Sequence, residues 1–387
     1  MPSGSRWTAI SGVRQIPDVL IVGAGIVGCA CALECAREGL RTVVLERGTV
    51  GGCATAAAMG HLVVMDDSPA QLALTAFSRS RWNEISSELP PQVEYEQRGT
   101  IWVAANGVEL DEVASKQRAF AVAGIPSEVL DQHQLRSAEP YLRAGLAGGL
   151  LVREDAVVYP PAAAEYFLDH AIRHGVVLHR GIRAVKIGQG IVISQKGEIF
   201  QAGKILLASG VDTDLLPWIP IQRRKGHLVI TDRYPGMLNH QLVELGYLRS
   251  AHKLTADSVA FNLQPRQTGQ ILIGSSRQYG SSHAGVDAEI LRSMLDRAIA
   301  YMPALRKVSA LRVWTGFRAA TADKLPFIGP TEDPSLFIAM GFEGLGITNA
   351  LGAARLATDA LLQRPSAIDA SAYLPERISI LNERQHV

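Results

Sequence analysis

The residues best placed to do chemistry begin at position 23. Gly23-Ala-Gly25-Ile-Val-Gly28 follows directly on the apolar run Asp18-Val-Leu-Ile-Val22, and Glu46 stands 21 residues beyond Gly25. Each position has a physical task. Gly23 permits a tight turn, Gly25 lets the backbone approach a pyrophosphate, and Gly28 lets a helix pack closely on a strand. A helix starting there offers N–H groups and its positive dipole end to phosphate. A carboxylate at Glu46 accepts hydrogen bonds from ribose hydroxyls and repels a 2′-phosphate, which disfavours NADP. The alternative is a glycine-rich packing turn.

Other chemistry-bearing residues need weighing. Cys29, Cys31 and Cys35 invite an iron–sulfur or zinc reading. At about 100° per residue on a helix, Cys29 points away from Cys31 and three thiolates do not converge, so small buried packing residues is the reading taken, with no metal site. Arg223-Arg-Lys-Gly-His227 is a basic run, expected as a surface turn beside a sheet that an electron-transfer partner could use. His61 is a lone histidine, either an active-site contact or a satisfied polar residue.

The elements that must position these residues follow from pattern. Val19 to Val22 and Thr42 to Leu45 are expected as buried parallel strands, with a helix between them ending near Glu38 at Gly39. Ser68-Pro-Ala-Gln71 opens a helix to about Leu89, with Ser68 as N-cap and Gln71 closing a capping box. Gly99 to Ala104 alternates as a strand outside the nucleotide fold. Pro160 and Pro161 open another helix, Lys204 to Gly210 is an apolar strand with a small-residue turn, and a helix is expected near 287–303. After Leu336-Phe-Ile-Ala339 and a glycine-rich turn, a last helix runs to about Leu362.

Composition sets limits. The chain has 387 residues, 47% hydrophobic and 19% charged, with a net charge of +1. That suits a folded protein of two domains and gives no reason to expect nucleic acid as partner. No apolar run reaches the ~20 residues of a membrane-spanning helix. Residues 1–17 lack the apolar stretch of a secretory signal and are expected as a loose arm. All four cysteines lie at or before Cys53, which favours a reducing cytoplasm over a disulfide framework.

Taken together, Val22-Gly-Ala-Gly-Ile-Val-Gly28, Ala54-Thr-Ala-Ala-Ala-Met-Gly60, Leu207-Ala-Ser-Gly210, Gly316-Phe-Arg318 with Pro326 and Gly329, and Gly341-Phe-Glu-Gly-Leu-Gly346 resemble the D-amino-acid oxidase superfamily of flavoproteins, over residues 18 to about 363. The nearest branches are glycine oxidase, sarcosine oxidase and the FAD-carrying β subunits of heteromeric D-hydroxyproline, proline or opine dehydrogenases. The resemblance implies an α/β fold in which a Rossmann-like FAD-binding domain (18–80, 145–222 and 312–380) is interleaved with a mixed-sheet α+β substrate domain (81–144 and 223–311), and a tail at 381–387.

It also implies an extended FAD. Gly23, Gly25, Ile26, Val27 and Gly28 would hold the pyrophosphate, and Glu46 with Arg47 the adenosine ribose. Ala54, Thr55, Ala58, Met59, Gly60 and His61 would run past the isoalloxazine, where small residues leave room for a flat ring. Val185 would contact adenine through its backbone, and Ala208, Ser209 and Gly210 would approach the cofactor. Gly316 and Gly341 flank the flavin-side turns. Glu343, Gly344, Leu345, Gly346, Ile347 and Thr348 would face the flavin N1 and C2 oxygen, where a helix N-terminus stabilises negative charge.

In the family an arginine at the position of Arg318 binds the substrate carboxylate, a grip that suits the guanidinium fork and aligns the C–H for hydride transfer to flavin N5. The alternative is that Arg318 pairs with an internal carboxylate such as Asp323. His61, Asn262, Tyr247 and Glu343 complete the expected active-site residues, with His252 and Tyr279 as looser candidates. Departures are visible. Phe342 stands where relatives often have His, Ala319 where they have Pro, and Asn262 where glycine oxidases carry a tyrosine. No cysteine follows Cys53, so a flavin linkage through a C-terminal cysteine is excluded. The implied function is oxidation of an amino acid to its imine, first as a D-hydroxyproline dehydrogenase subunit passing electrons to partner subunits with iron–sulfur or flavin, in the cytoplasm or peripheral to the inner membrane through those partners. An oxygen-using glycine or sarcosine-type oxidase, an opine dehydrogenase subunit and a non-catalytic flavin-binding subunit are the alternatives.

Overall fold

Val19–Val22 is a strand buried at all four residues. It runs parallel to Thr42–Glu46 on one side and to Lys204–Leu207 on the other, with Val19 opposite both Thr42 and Lys204. Leu336–Met340 and Val177–Arg180 extend the parallel sheet, and Phe327–Pro330 closes one edge antiparallel. A parallel strand covered on both faces must be apolar throughout, which explains the unbroken runs. The helix Ile26–Arg37 is buried from Ile26 to Ala36, and the helices Pro160–Arg173 and Gly346–Leu361 pack on it. Small residues make this possible: a β-carbon at Gly28 would lie 2.0 Å from the Gly23 carbonyl oxygen. The helix ends as expected, with Glu38 as C-cap and Gly39 at φ +79°.

The structure is a computed structural model describing residues 16–246 and 257–379. Among these, the chain divides into two units. The first takes the described residues up to 56, 160–222 and from 319 onward, and the second takes 57–159 and 223–318. Residues 57–80, 145–159 and 312–318 thus group with the second unit, not with the nucleotide fold to which their sequence assigned them. Strand pairing is the reason. His61–Leu62 pairs with Ala156–Val157, Gly148–Val152 with Thr100–Ala104, and Ala310–Ala320 forms an edge of the second unit's sheet.

That sheet has eight strands in the order Ala310–Ala320, Gln222–Thr231, Ile271–Arg277, Ser258–Pro265, Gln241–Glu244, Thr100–Ala104, Gly148–Val152, Glu128–Asp131. It is mixed, because Gln241–Glu244 runs parallel to Thr100–Ala104 while its other neighbour is antiparallel. One face buries Val229, Phe261, Leu263 and Ile273 with Met294 and Tyr301 of the helix Ala288–Tyr301. The opposite face carries Met59, Leu228 and Leu272, with Trp314 packed on them.

Two local expectations change. The helix Pro69–Ile85 has Ser68 as N-cap, its Oγ accepting from Gln71 N at 3.1 Å. The reciprocal half of the capping box goes one residue further back, since Gln71 Oε1 accepts from Asp67 N. The helix stops at Ile85 and continues as a 3-10 turn, Ser86–Glu88, before Pro90 and Pro91. The basic run is not a surface turn. Arg224, Lys225 and His227 lie inside the strand Gln222–Thr231 and are 2%, 0% and 0% exposed. Neighbouring strands on both sides and covered faces leave such a strand no solvent to project its charges into.

Candidate functional site

The first unit builds a nucleotide cradle. Gly23 sits at φ +109°, and a β-carbon there would lie 2.5 Å from Ala208 O. Gly23 and Gly28 are therefore required by the chain's own packing. Gly25 is different: the nearest atom to its β-carbon would be Thr55 Oγ1 at 3.4 Å, an ordinary contact. Glycine at that position keeps open the approach to the start of the helix Ile26–Arg37, where the N-cap residue itself supplies no side-chain cap. A helix start approached over glycine, with no N-cap side chain in the way, suits a pyrophosphate. Thr55 Oγ1 accepts from Ile26 N at 3.1 Å and so braces that turn.

Glu46 is held by backbone donors. Its Oε2 accepts from Ala24 N at 2.7 Å and its Oε1 from Gly48 N at 2.6 Å. Two charge-assisted bonds fix the carboxylate, and each oxygen keeps a lone pair for a ribose hydroxyl. Arg47 forms an ion pair with Asp212, so its charge is directed along that contact. Ala208 N donates to Val22 O, Ser209 Oγ donates to Asp212 O, and Gly210 turns at φ +66°. Val185 lies on a separate three-stranded sheet, in Ala184–Gly188, with its side chain half exposed.

Also in the first unit, Gly341 turns at φ +82° against Thr321 and Phe327, and Glu343 takes φ +49° with its N–H donating to Ala319 O at 2.8 Å. Gly344 N donates to the Glu343 carboxylate at 2.6 Å. The helix Gly346–Leu361 then begins from Leu345 with no side-chain cap, burying Ile347 and Thr348. Ala54 lies in the short helix Cys53–Ala57.

The second unit gathers polar side chains around His61. Ala58, Met59 and Gly60 lead into it, Gly60 at φ +91° with its carbonyl accepting from Val158 N. His61 Nδ1 bonds Gln241 Oε1, and Nε2 lies 3.1 Å from Asn262 Oδ1. The Gln241 amide nitrogen donates to Ala156 O and Thr100 Oγ1, so its oxygen is what faces the ring and Nδ1 carries the proton. Burial holds the imidazole below its ordinary pKa, and the nearby charge of Arg266 acts in the same direction, against the raising effect of Gln241 and Asn262. The atom that faces Nε2 is Asn262 Oδ1, and Gln264 Nε2 lies 3.4 Å from Nδ1. Arg266 in turn donates to Val158 O at 3.0 Å and Gln264 Oε1 at 3.2 Å and pairs with Glu94.

Arg318 is on the strand Ala310–Ala320 and is half-buried. Its Nη1 donates to Ser276 O at 2.9 Å. A β-carbon at Gly226 would lie 2.4 Å from that Nη1. Asp323 bonds Arg377 Nε at 2.7 Å. Gly316 gives similar clearance, as a β-carbon there would meet Ala57 Cβ at 2.5 Å. Trp314 Nε1 donates to Ala57 O at 3.2 Å.

Tyr247 and His252 lie outside the described residues. Among the described residues no group of His, Cys, Asp and Glu could hold a metal ion, and Cys29, Cys31 and Cys35 are buried thiols. Burial pushes the Cys35 thiol up to about 12, with Thr358 pulling against it, and pushes that of Cys29 up further. Sequence reasoning passed over Gln241, Gln264, Arg266 and Arg277, and expected Arg224, within the basic run, on a surface turn. The alternation around Gly226 was the available signal for Arg224; the others carry none in one dimension.

The comparisons with known proteins agree with this architecture. The chain is 25% identical over 368 residues to the glycine oxidase of Geobacillus kaustophilus (strain HTA426), across 92% of this chain and 96% of that protein. It is 23% identical over 395 residues to an opine oxidase subunit of Rhizobium meliloti, across 95% of this chain and 97% of that one. The crystal structure of glycine oxidase from Geobacillus kaustophilus matches with a TM-score of 0.82 at 24% identity, covering 92% of this chain and 98% of that one, which shows a glycine oxidase-like fold. Residues 18–360 match the family described as DAO, FAD dependent oxidoreductase, and the chain belongs to that family.

Proposed function

We propose that this chain is the FAD-carrying subunit of a heteromeric dehydrogenase that oxidises the C–N bond of an amino acid to the imine. D-hydroxyproline, proline and the opines are the secondary-amine substrates it would take, and its electrons would pass to partner subunits carrying iron–sulfur or flavin. The observation that carries the reading is Arg318, whose guanidinium is seated over Gly226 and braced by Ser276 O. A braced fork on a rigid strand grips a carboxylate through two parallel bonds and fixes the amine beyond it.

The cradle fits FAD. Gly23, Gly25, Ile26, Val27 and Gly28 would hold the pyrophosphate and Glu46 the ribose, and the start of the helix Gly346–Leu361 would favour negative charge on the ring. When bound, FAD supplies the two-electron acceptor for the amine's C–H. The protein's own groups do the rest. Arg318 binds and orients the acid. Met59, Leu228 and Trp314 line the same sheet face with apolar surface that excludes water. His61 is held neutral and its Nε2 is occupied by Asn262, so the substrate amine must arrive already unprotonated. The four cysteines remain thiols, which supports a cytoplasmic setting. The heteromeric part rests on likeness to an opine oxidase subunit.

The test is an assay of the purified yellow chain. Substrate-dependent reduction of an artificial dye with little peroxide is expected. Rapid peroxide formation would instead assign an oxygen-using glycine or sarcosine-type oxidase. A flavin that no amine bleaches anaerobically would overturn both and leave a non-catalytic flavin-binding subunit.

A further inference from the structure

Two loops of the first unit meet over the end of the strand Val19–Val22. That strand lies between Thr42–Glu46 and Lys204–Leu207 in the parallel sheet, with Val22 opposite both Leu45 and Leu207. The three chains therefore leave the sheet level with one another. The middle one becomes the Gly23–Gly28 turn. Arg47 stands two residues past Leu45, and Asp212 stands five residues past Leu207. Neighbouring strands lie about 4.8 Å apart, so the outer two are about 10 Å apart, a gap that takes a long side chain to close. Arg47 closes it: its Nη1 donates to the Asp212 carboxylate, and the two form an ion pair.

Asp212 is prepared for this contact. Its loop is closed on itself, with Asp212 N donating to Ser209 O at 3.2 Å and Ser209 Oγ donating to Asp212 O at 2.6 Å. Its own Oδ1 accepts from Asp214 N at 3.2 Å. Burial works against its charge, yet the Asp214 N–H and the Arg47 and Arg183 guanidinium groups hold its carboxyl below the usual carboxylate range. Arg183 itself pairs with Asp214 at 3.5 Å. Cys53 is a second neighbour of the Arg47 side chain. The pair does little for the fold. The Arg47 side chain is 42% exposed, and ion pairs so open to solvent add little stability. The cradle accounts for it better. The start of the helix Ile26–Arg37 is approached over Gly25, and a diphosphate placed there carries two negative charges. A guanidinium has five N–H donors, of which the bond to Asp212 uses one. Unheld, a long arginine side chain keeps its rotamer freedom and loses it on binding; Asp212 fixes its direction beforehand.

We infer that Asp212 is a positioning residue for the cofactor: it holds the Arg47 guanidinium across the end of Val19–Val22, beside the path of the FAD diphosphate. The inference rests on the cradle reading above and adds to it a residue that does not touch FAD. Its consequence has a distinctive sign. Asp212 is itself an anion, so by its charge alone it repels a diphosphate. Removing that charge tightens FAD binding if Asp212 acts only as a local charge, and weakens it if Asp212 acts through Arg47.

The experiment strips the full-length chain of flavin and titrates FAD back, following flavin fluorescence. Asp212→Asn keeps an acceptor for Asp214 N and removes the charge. It is expected to weaken FAD binding about three- to tenfold, within the range of one hydrogen bond to a charged group. Arg47→Gln should weaken binding at least as much. In the Arg47→Gln background, Asp212→Asn should weaken it no further, which a double-mutant cycle reads directly. Riboflavin, which has no phosphate, should bind all four forms alike. Asp212→Ser carries the same expectations should Asp212→Asn not fold. Tighter or unchanged FAD binding by Asp212→Asn, equal weakening with and without Arg47, or a loss that riboflavin shares overturns the inference and leaves the cradle reading intact. Unvaried protein that takes up no FAD, or takes up riboflavin just as tightly, defeats the cradle reading and the inference with it.

Discussion

Gly226 and Arg318 are fitted to one another: a β-carbon on the glycine would stand 2.4 Å from Nη1 and 2.9 Å from Cζ of the arginine. The glycine is there for the guanidinium. Gly226→Ala should push the fork off its position while leaving the sheet intact, because the colliding atoms end a flexible side chain. We expect the half-saturating substrate concentration to rise about 10- to 100-fold with flavin content unchanged, the range of a lost charged hydrogen bond. Arg318→Lys should keep charge but not the fork and recover only part of the affinity of Arg318→Ala. Steady-state kinetics check this, and an unchanged KM in Gly226→Ala would remove Arg318 from substrate binding.

Gly25 and Gly28 should separate cofactor affinity from folding. A β-carbon at Gly25 makes one ordinary contact, whereas at Gly28 it lies 2.0 Å from a carbonyl oxygen. Gly25→Ala is expected to lower FAD affinity at least tenfold while the melting temperature of the stripped protein stays within a degree or two. Gly28→Ala is expected to lose both, as overpacking against backbone costs about 1–3 kcal/mol or more. Flavin titration with parallel calorimetry distinguishes the two.

Asp155 should make stability fall as pH rises. Burial lifts its carboxyl to about 6, with Arg79 pulling against that shift. A folded-state pKa above the unfolded value means the folded chain binds the proton more tightly. The stability this contributes is complete below about pH 4 and is lost as pH passes through about 6, on the order of 2–3 kcal/mol in all. Asp155→Asn should flatten that part of the profile, read from urea midpoints between pH 4 and 7. The same slope in wild type and variant would contradict the assignment.

Lys116 is a buried ammonium paired with Asp66 and placed 4.0 Å above the Trp102 ring. Lys116→Met alone strands the carboxylate and should cost about 3 kcal/mol. Adding Asp66→Asn should restore most of it, because the charge left behind is gone. A double variant no more stable than the single would show that the stranded carboxylate is not what the single variant loses.

The nucleotide cradle was legible because its parts are consecutive. Strand, turn, helix and closing acid lie within residues 18–46, and each has a local sequence mark. The sheet-face residues were legible only in part. Arg318, His61 and Asn262 were named singly, whereas the basic run at 223–227 was expected on a surface turn. Its charges disguised a buried strand, since hydrophobicity is the usual sign of burial and here the sign is reversed.

Sequence alone determined the dinucleotide-binding segment and the family, because glycine spacing and local backbone geometry act between neighbours in the chain. The second unit's face was decided by tertiary structure. Positions 61, 224 with 226, 262, 277 and 318 come from five different strands, and hydrogen-bond register between strands decides which of their side chains share a face. Shifting a strand by one residue would turn its side chains to the other face, so the charge of the site is a property of the pairing.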